Sequence, residues 1–470
     1  MSHPLLLRVA GVALVASVTG CAPRAVVTAP ECAPEASENA TLSAGPMVGF
    51  VTLREAAIWA QLDRPGTLEV RYWPADAPDE AQTSRPYEAT WDSERTVTAV
   101  LSELEPGTTY SYALVVDGEV TEPTHTQSVT TQPLWQYRED PPTFTAAMGS
   151  CLFINEAVYD RPEETWGIYG GEYEILDAIR EDDPDVMLWL GDNTYFREVD
   201  YGSRAGMAYR YARDRRTVEP LARLLTSVAN YATWDDHDYG PNNSDRTFPL
   251  RADALDLFEL FWANPSYGQP DLPGVFTQFE WADVEFFLLD DRYHRDANRA
   301  PEATRGIYGR PQLEWLLQAL AASRAPFKVV ASGGQMLNPH SPYEAFIHAP
   351  SEYAWFFGEL EARGIEGVVF VSGDRHHGEL LRMEREGSYP VYELTSSPLT
   401  SGGASASREL DNPLRVEGTL VNNQRNYAMM RVEGAREDRT MTLTMHAVDG
   451  STLWTHAIHE SELTLPEADE

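Results

Sequence analysis

Four short stretches of the chain end in residues of the types that bind metals. They are Gly149-Ser150-Cys151, Gly191-Asp192-Asn193-Thr194-Tyr195, Asp235-Asp236-His237-Asp238 with Asn242-Asn243 close behind, and Ser372-Gly373-Asp374-Arg375-His376-His377. Singly, each has an ordinary structural explanation: an N-capping Asp, a small core Cys, a solvated acidic loop, a turn. Together they form a mixed donor set of carboxylates, imidazoles, a phenol and a thiol. Burying such groups without partners costs several kcal/mol each, and metal ions supply partners. Carboxylates favour calcium, magnesium or manganese, whereas phenolate with thiolate favours ferric iron. Two unlike cations about 4 Å apart can hold both the attacking and the leaving oxygen of an in-line phosphoryl displacement.

The elements that position these residues are legible as hydrophobic runs. Residues 144–148, 186–190, 229–234, 284–289, 328–331, 367–371 and 391–394 read as buried strands. Residues 172–181, 218–225, 252–262, 312–322 and 351–363 read as helices. This alternation predicts a layered α/β domain over residues 143–463. Ligands of such sheets gather just past the carboxyl ends of strands, and all four stretches fall there. Upstream, residues 45–132 carry short strand-like runs punctuated by Pro, Gly and Asp, which predicts a small β-sandwich. Within it, the segment from Leu104 to Tyr112 resembles the tyrosine corner of a fibronectin type III domain. Trp59 is expected as its buried early-strand aromatic. Nothing there suggests catalysis, so a packing or spacing role is expected. Residues 132–142, with three prolines, form the boundary.

A chain of 470 residues is too long for one core. Its hydrophobic content of 43% and aromatic content of 11% describe a globular protein. A net charge of −37 argues against nucleic acid as a partner. It leaves open a phosphate substrate bridged through cations. Lys328 is the only lysine, which reads as compositional bias. The cysteines Cys21, Cys32 and Cys151 are too few for a disulfide framework, and Cys32 is expected to be an incidental thiol.

Residues 1–20 read as an export signal whose apolar run, 9–18, is too short to span a bilayer. It ends in Val18-Thr19-Gly20-Cys21, which resembles a bacterial lipobox with Cys21 as the acylated residue. Val stands where Leu is usual, and the basic region is thin. The expected location is the bacterial cell envelope, lipid-anchored on its periplasmic or extracellular face, or secretion if the lipobox is not used. Residues 21–44, rich in Ala, Pro, Glu and Ser, read as a linker.

The motifs as a set resemble the alkaline phosphatase D (PhoD-type) branch of the calcineurin-like metallophosphoesterases, over most of residues 144–432. Further matches are Leu289-Asp-Asp-Arg292, Gln312-Leu-Glu-Trp-Leu316 and Thr395-Ser-Ser-Pro-Leu-Thr400. The resemblance implies a four-layer αββα domain preceded by a fibronectin-III-like β-sandwich. It implies ferric iron with calcium or another divalent ion such as Mg, Mn or Zn. Carried over residue by residue, Cys151 would be an iron ligand where most relatives have an Asp-x-His motif. Asp192 would bridge the metals, and Tyr195 would be a phenolate on iron. Asp236 would bind the second metal where the broader superfamily has an Asn. Asp374 and His376 would complete the set, and His237 would be the catalytic acid. Asn155, Arg292, Arg375 and His377 are implied substrate contacts. The implied activity is hydrolysis of phosphate monoesters or diesters by in-line attack of a metal-activated hydroxide. The alternatives are a non-catalytic or calcium-binding envelope lipoprotein. Oligomeric state is not implied either way.

Overall fold

The computed structural model describes residues 39–466 apart from 123, 124, 126, 164–168 and 343. The export signal, Cys21, Cys32 and all but the last six residues of the linker segment lie outside the described residues. The alternating runs that follow fold as strands: β1 (Leu42–Val51), β2 (Ala56–Leu62), β3 (Gly66–Pro74), β4 (Gln82–Thr83), β5 (Tyr87–Ala89), β6 (Thr96–Leu101), β7 (Thr109–Val116), β8 (Glu119–Val120) and β9 (Ser128–Thr130). One sheet has the order β1-β2-β6; the others gather around β3 and β7 in a second antiparallel sheet. β1 begins inside the stretch read as linker, because Leu42 and Ala44 already pair with β2. The tyrosine corner is present: the Glu105 N–H donates to the Tyr110 hydroxyl at 2.9 Å.

Trp59 is buried, but not in the core of the sandwich. β2 is covered on both faces, so every residue in it is buried. Ile58 and Ala60 face the sandwich core. Ala57 and Trp59 face the neighbouring catalytic region. The indole N–H of Trp59 donates to the Leu260 carbonyl at 2.8 Å, and the Arg215 guanidinium lies between the rings of Trp59 and Trp262.

The rest of the chain builds two more sheets from β10 (Phe144–Gly149), β11 (Val186–Leu190), β12 (Ala229–Thr233), β13 (Thr277–Trp281), β14 (Val284–Leu288), β15 (Phe327–Ser332), β16 (Val368–Ser372), β17 (Glu379–Met383), β18 (Val391–Thr395), β19 (Asn426–Glu433), β20 (Thr440–Ala447) and β21 (Thr452–His459). Their orders are β12-β11-β10-β19-β20-β21 and β13-β14-β15-β16-β18-β17. β10, β11 and β12 are parallel neighbours, as are β14, β15, β16 and β18. In β11, Val186, Leu188 and Leu190 point into the core shared by the two sheets. Met187 and Trp189 point outward to the helices. Burial on both faces explains the unbroken apolar run.

The described α-helices are α1 (Glu174–Glu181), α2 (Arg204–Thr217), α3 (Glu219–Ser227), α4 (Asp236–Tyr239), α5 (Arg251–Phe261), α6 (Arg310–Ala322) and α7 (Pro350–Ala362). α1, α2, α3 and α5 cover the first sheet, and α6 and α7 cover the second. The result is the four-layer αββα arrangement. α2 has no counterpart among the sequence-predicted helices. Its buried residues mix apolar Met207, Ala208, Tyr211 and Ala212 with Arg210, paired to Asp200 at 2.8 Å and Glu156 at 2.6 Å, so charged positions interrupt the apolar stripe that periodicity detects. Among the described residues no helix is long and apolar enough to cross a membrane.

Candidate metal centre

Because β10, β11 and β12 are parallel neighbours, their carboxyl ends share one edge. Cys151, Asp192 and the Asp235–His237 turn therefore meet. The second sheet delivers Asp374 and His376 from the end of β16. A hydrogen bond from Leu152 N–H to the Asp192 carbonyl ties together the turns of the first sheet, and one from Gly373 N–H to the Gly333 carbonyl those of the second, while the Ser396 hydroxyl, donating to the Met148 carbonyl, joins the two sheet ends. Two glycines make the approach possible. A Cβ on Gly373 would lie 2.5 Å from the Leu190 carbonyl oxygen. Gly191 has φ +85°, and a Cβ there would meet the Asp235 backbone nitrogen at 2.9 Å.

Donor atoms of Cys151, Asp192 and His376 lie within 4.8 Å of one another, and so do those of Asp192, Asp236 and His237. Asp192 belongs to both groups, which is the placement a bridging ligand needs. Tyr195 joins the first group: its hydroxyl donates to Asp192 Oδ2 at 2.9 Å and lies 3.4 Å from His376 Nε2. The His376 Nδ1 is 2.8 Å from the Gly402 carbonyl, which orients the ring with Nε2 toward the cluster. Asp236 is held by the Asn243 N–H at 2.6 Å on one oxygen, while its Oδ1 is buried with no hydrogen-bond partner. The His237 ring lies against Tyr195, centroids 4.2 Å apart, with its Nε2 4.0 Å from Asp236 Oδ1.

The backbone of this centre is strained. Cys151, Asp192, Asp374 and His376 all have φ between +52° and +63°. Non-glycine residues are uncommon in that region, at a cost of about 1–2 kcal/mol each. Strain of this kind persists where the surrounding structure fixes it, and it concentrates at functional sites.

The electrostatics fit cations. Burial, then the nearby carboxylates of Asp236, Asp235, Asp238 and Asp374, push the Asp192 carboxyl well up. Burial and Asp235 do the same to Asp374. Burial and Asp192 raise both the Cys151 thiol and the Tyr195 phenol. Burial opposes ionisation of Asp236 as well, but His237, Arg292 and the Asn243 N–H outweigh it and hold that carboxyl at about 2. Burial lowers His376 to about 4, leaving its imidazole neutral. A cluster of anionic donors that repel one another, one carrying an orphaned buried oxygen, is a site that added positive charge would stabilise.

Four implied substrate contacts are placed differently. Arg292 is 1% exposed and ion-paired to Asp235 and Glu344. Arg375 is buried against Glu409, Ser341 and Gln335. His377 is buried, with Nε2 3.2 Å from Glu379 Oε1. Carboxylates in the next layer already use the donors that a phosphate would need. Asn155 is half-buried and donates from Nδ2 to the Gly171 carbonyl, holding a loop. Two residues escaped the sequence reading. Asp235 places one oxygen on Arg292 and leaves Oδ2 buried without a partner. Asp238 accepts the Thr194 N–H at 2.9 Å and the Asp235 N–H at 3.1 Å, tying the β11 turn to α4. The Asp-Asp-His-Asp run was the available signal, but spacing does not say which member points where. A separate cleft of about 1100 Å³ opens beside the sandwich; none of the four strand-end stretches lines it.

Two packed sheets with an acidic, thiol- and phenol-bearing cluster at their carboxyl ends define a metallophosphoesterase-like protein. Residues 162–442 match the family model described as PhoD-like phosphatase. The chain belongs to that family, and it is a phosphoric ester hydrolase. Residues 39–134 match a model described as a domain of unknown function, DUF7800. A structure titled as that of PhoD is similar over 91% of this chain and 93% of its own, with 16% identity and a TM-score of 0.71. The purple acid phosphatase PPD1 from yellow lupin (Lupinus luteus) seeds is similar over 88% and 74%, with 11% identity and a TM-score of 0.62. These likenesses show the fold. No curated protein sequence matches the chain. Family and ligand clusters together support dependence on metal ions.

Proposed function

We propose that the chain hydrolyses small phosphate esters, monoesters or diesters, with ferric iron and a divalent ion such as calcium. The observation that carries this reading is the pair of donor groups sharing Asp192. Cys151, Tyr195 and His376 would hold iron with Asp192, and Asp192, Asp236 and Asp374 would hold the divalent ion. Such cations, when bound, acidify water and neutralise phosphoryl charge. The rest is the work of the chain's own residues. The Asn243 N–H on Asp236 and the left-handed turns at Cys151, Asp192, Asp374 and His376 hold the donors in place before substrate arrives. His237, one-fifth exposed at its side chain, is open enough to reach a leaving oxygen and donate a proton to it. Proton transfer of that kind is typically worth about 10²–10⁴-fold. Arg375 and Arg292 act from behind, by fixing the loops.

The test is turnover of matched nitrophenyl phosphate monoester and diester with iron and calcium present, beside an Asp192→Asn control. Turnover lost in the control supports the reading, and the ratio of the two rates sets the ester class. Absence of turnover on both removes it. In His237→Ala, metal content should stay and turnover should fall; full activity removes His237 from the role. Tyr195→Phe should bleach a visible charge-transfer band, and an unchanged spectrum would take the phenol off iron. The lipobox-like sequence supports a lipid anchor at the cell envelope; Cys21→Ser should then abolish fatty-acid labelling.

A further inference from the structure

Tyr195 is one phenol of the cluster; a second stands beside it, unused. The Tyr169 hydroxyl is 3.5 Å from His376 Nε2. Its ring packs edge-on against Phe153, with centroids 4.7 Å apart, and lies 6.0 Å from the Tyr195 ring and 5.8 Å from the His376 ring. Tyr169 as a whole is 44% exposed. One edge of the ring therefore walls the mouth of the site while its hydroxyl points to the donors.

The position is fixed by the backbone that follows it. Gly171 N–H donates to the Thr400 carbonyl at 2.6 Å, and Gly170 bridges to Ser401. Asn155 Nδ2 holds the Gly171 carbonyl at 3.2 Å. A Cβ on Gly170 would lie 2.3 Å from Asn155 Oδ1, so this strap has no slack. It rests on the loop whose Ser401 hydroxyl donates to the Cys151 carbonyl at 3.0 Å. Tyr169 is thus registered to the same loop that positions the thiol.

A separation of 3.5 Å is too long for a strong O–H···N bond, so the hydroxyl is not committed to His376. The electron pairs nearest to it, on His376 Nε2 and the Tyr195 oxygen, are those a cation would take. The Tyr169 O–H then needs another acceptor. We propose that Tyr169 is a catalytic residue that donates a hydrogen bond to a non-bridging phosphoryl oxygen of the substrate. This inference rests on the phosphoester-hydrolase reading of the site. The assignment to a phosphoryl oxygen follows from place: Tyr169 stands with the Cys151 and His376 group, whereas His237, the proton donor, belongs to the Asp236 group.

The test is Tyr169→Phe in the full chain loaded with metal. Removal of a preorganised donor should lower kcat by about 100-fold, and by the same factor for aryl leaving groups of differing basicity. Calorimetry with inorganic phosphate should show affinity weakened by about tenfold. Metal content and visible spectrum should match wild type. Unchanged kcat and phosphate affinity would overturn the proposal, leaving the ring as a wall. Loss of metal or a shifted spectrum would also overturn it, by making Tyr169 a ligand. Failure of the wild type to turn over any phosphate ester would defeat the underlying reading instead, a result distinct from an active wild type with an unimpaired variant.

Discussion

Two clusters of buried acids and histidines lie near one another at the end of β16, and they are built to opposite rules. The first holds Cys151, Asp192, Tyr195, Asp236, His237, Asp374 and His376. The second holds His377, Glu379 and Glu409, whose donor atoms also lie within 4.8 Å of one another. In the second, arginines close the circuit: Arg415 meets Glu379 at 2.7 Å, Arg375 meets Glu409, and Gln335 and Asn338 fill the remaining positions. Burial would raise Glu379, yet His377 and Arg415 hold it down at about 2. In the first, His237 and Arg292 hold Asp236 at about 2 in the same way, but Asp192 and Asp374 are pushed up. Proximity of carboxylates and imidazoles therefore does not identify a metal centre. What distinguishes one is that the protein leaves its charge uncompensated.

That contrast can be broken by experiment. The largest effect is expected from Asp192→Asn, which removes the donor common to both groups. Turnover should fall by about 10³-fold or more, with metal stoichiometry reduced; Glu379→Gln should leave stoichiometry intact. Retention of both metals by Asp192→Asn would erase the distinction. Next, Arg375→Met should cost about 3–5 kcal/mol of stability by leaving Glu409 buried and unpaired. A raised KM at unchanged stability would instead return Arg375 to the substrate. Metal removal by a chelator should destabilise the fold by about 2.7 kcal/mol for each site, relative to protein at a metal concentration 100-fold above Kd, read as a lower Tm restored on reloading.

The acid limb of stability offers a finer test. Glu379 has a depressed folded-state pKa, so its stabilisation is complete above its unfolded value of about 4.3. It is lost as pH falls from there toward about 2. Glu379→Gln should flatten the denaturation curve in that window and nowhere else. The smallest effect belongs to the sandwich. Tyr110→Phe deletes one side-chain-to-backbone hydrogen bond, for about 1 kcal/mol, with turnover unchanged.

The strand ends were legible in the sequence because parallel strands buried on both faces are written as unbroken apolar runs. The turns after them have little to do except carry ligands. Val186–Leu190 matches its predicted bounds. The roles of Arg292 and Arg375 were not legible, since a guanidinium beside a phosphate site and one clamped on Glu344 or Glu409 have the same one-dimensional signature. Asp238 was given no role from the sequence, and only the fold shows it bonded to backbone N–H groups. α2 was missed because its buried face mixes charged Arg210, Asp214 and Arg215 with apolar Met207, Ala208, Tyr211 and Ala212, which breaks the apolar stripe. β1 was not read as a strand, and its first residues were read as linker, because pairing with β2, rather than local composition, makes Leu42–Ala44 extended.

Trp59 carries a consequence for how the molecule comes apart. Its indole helps seal the β-sandwich against α5, together with Arg215 on its ring face and Asn230 reaching the Val48 carbonyl. A sandwich built as a tethered module would melt in its own transition. Here neither body can lose its structure without exposing the shared aromatic seam, so calorimetry of residues 39–466 should record one cooperative endotherm. Cutting the chain at the proline-rich boundary would then yield an unsealed hydrophobic face in place of a free-standing catalytic domain.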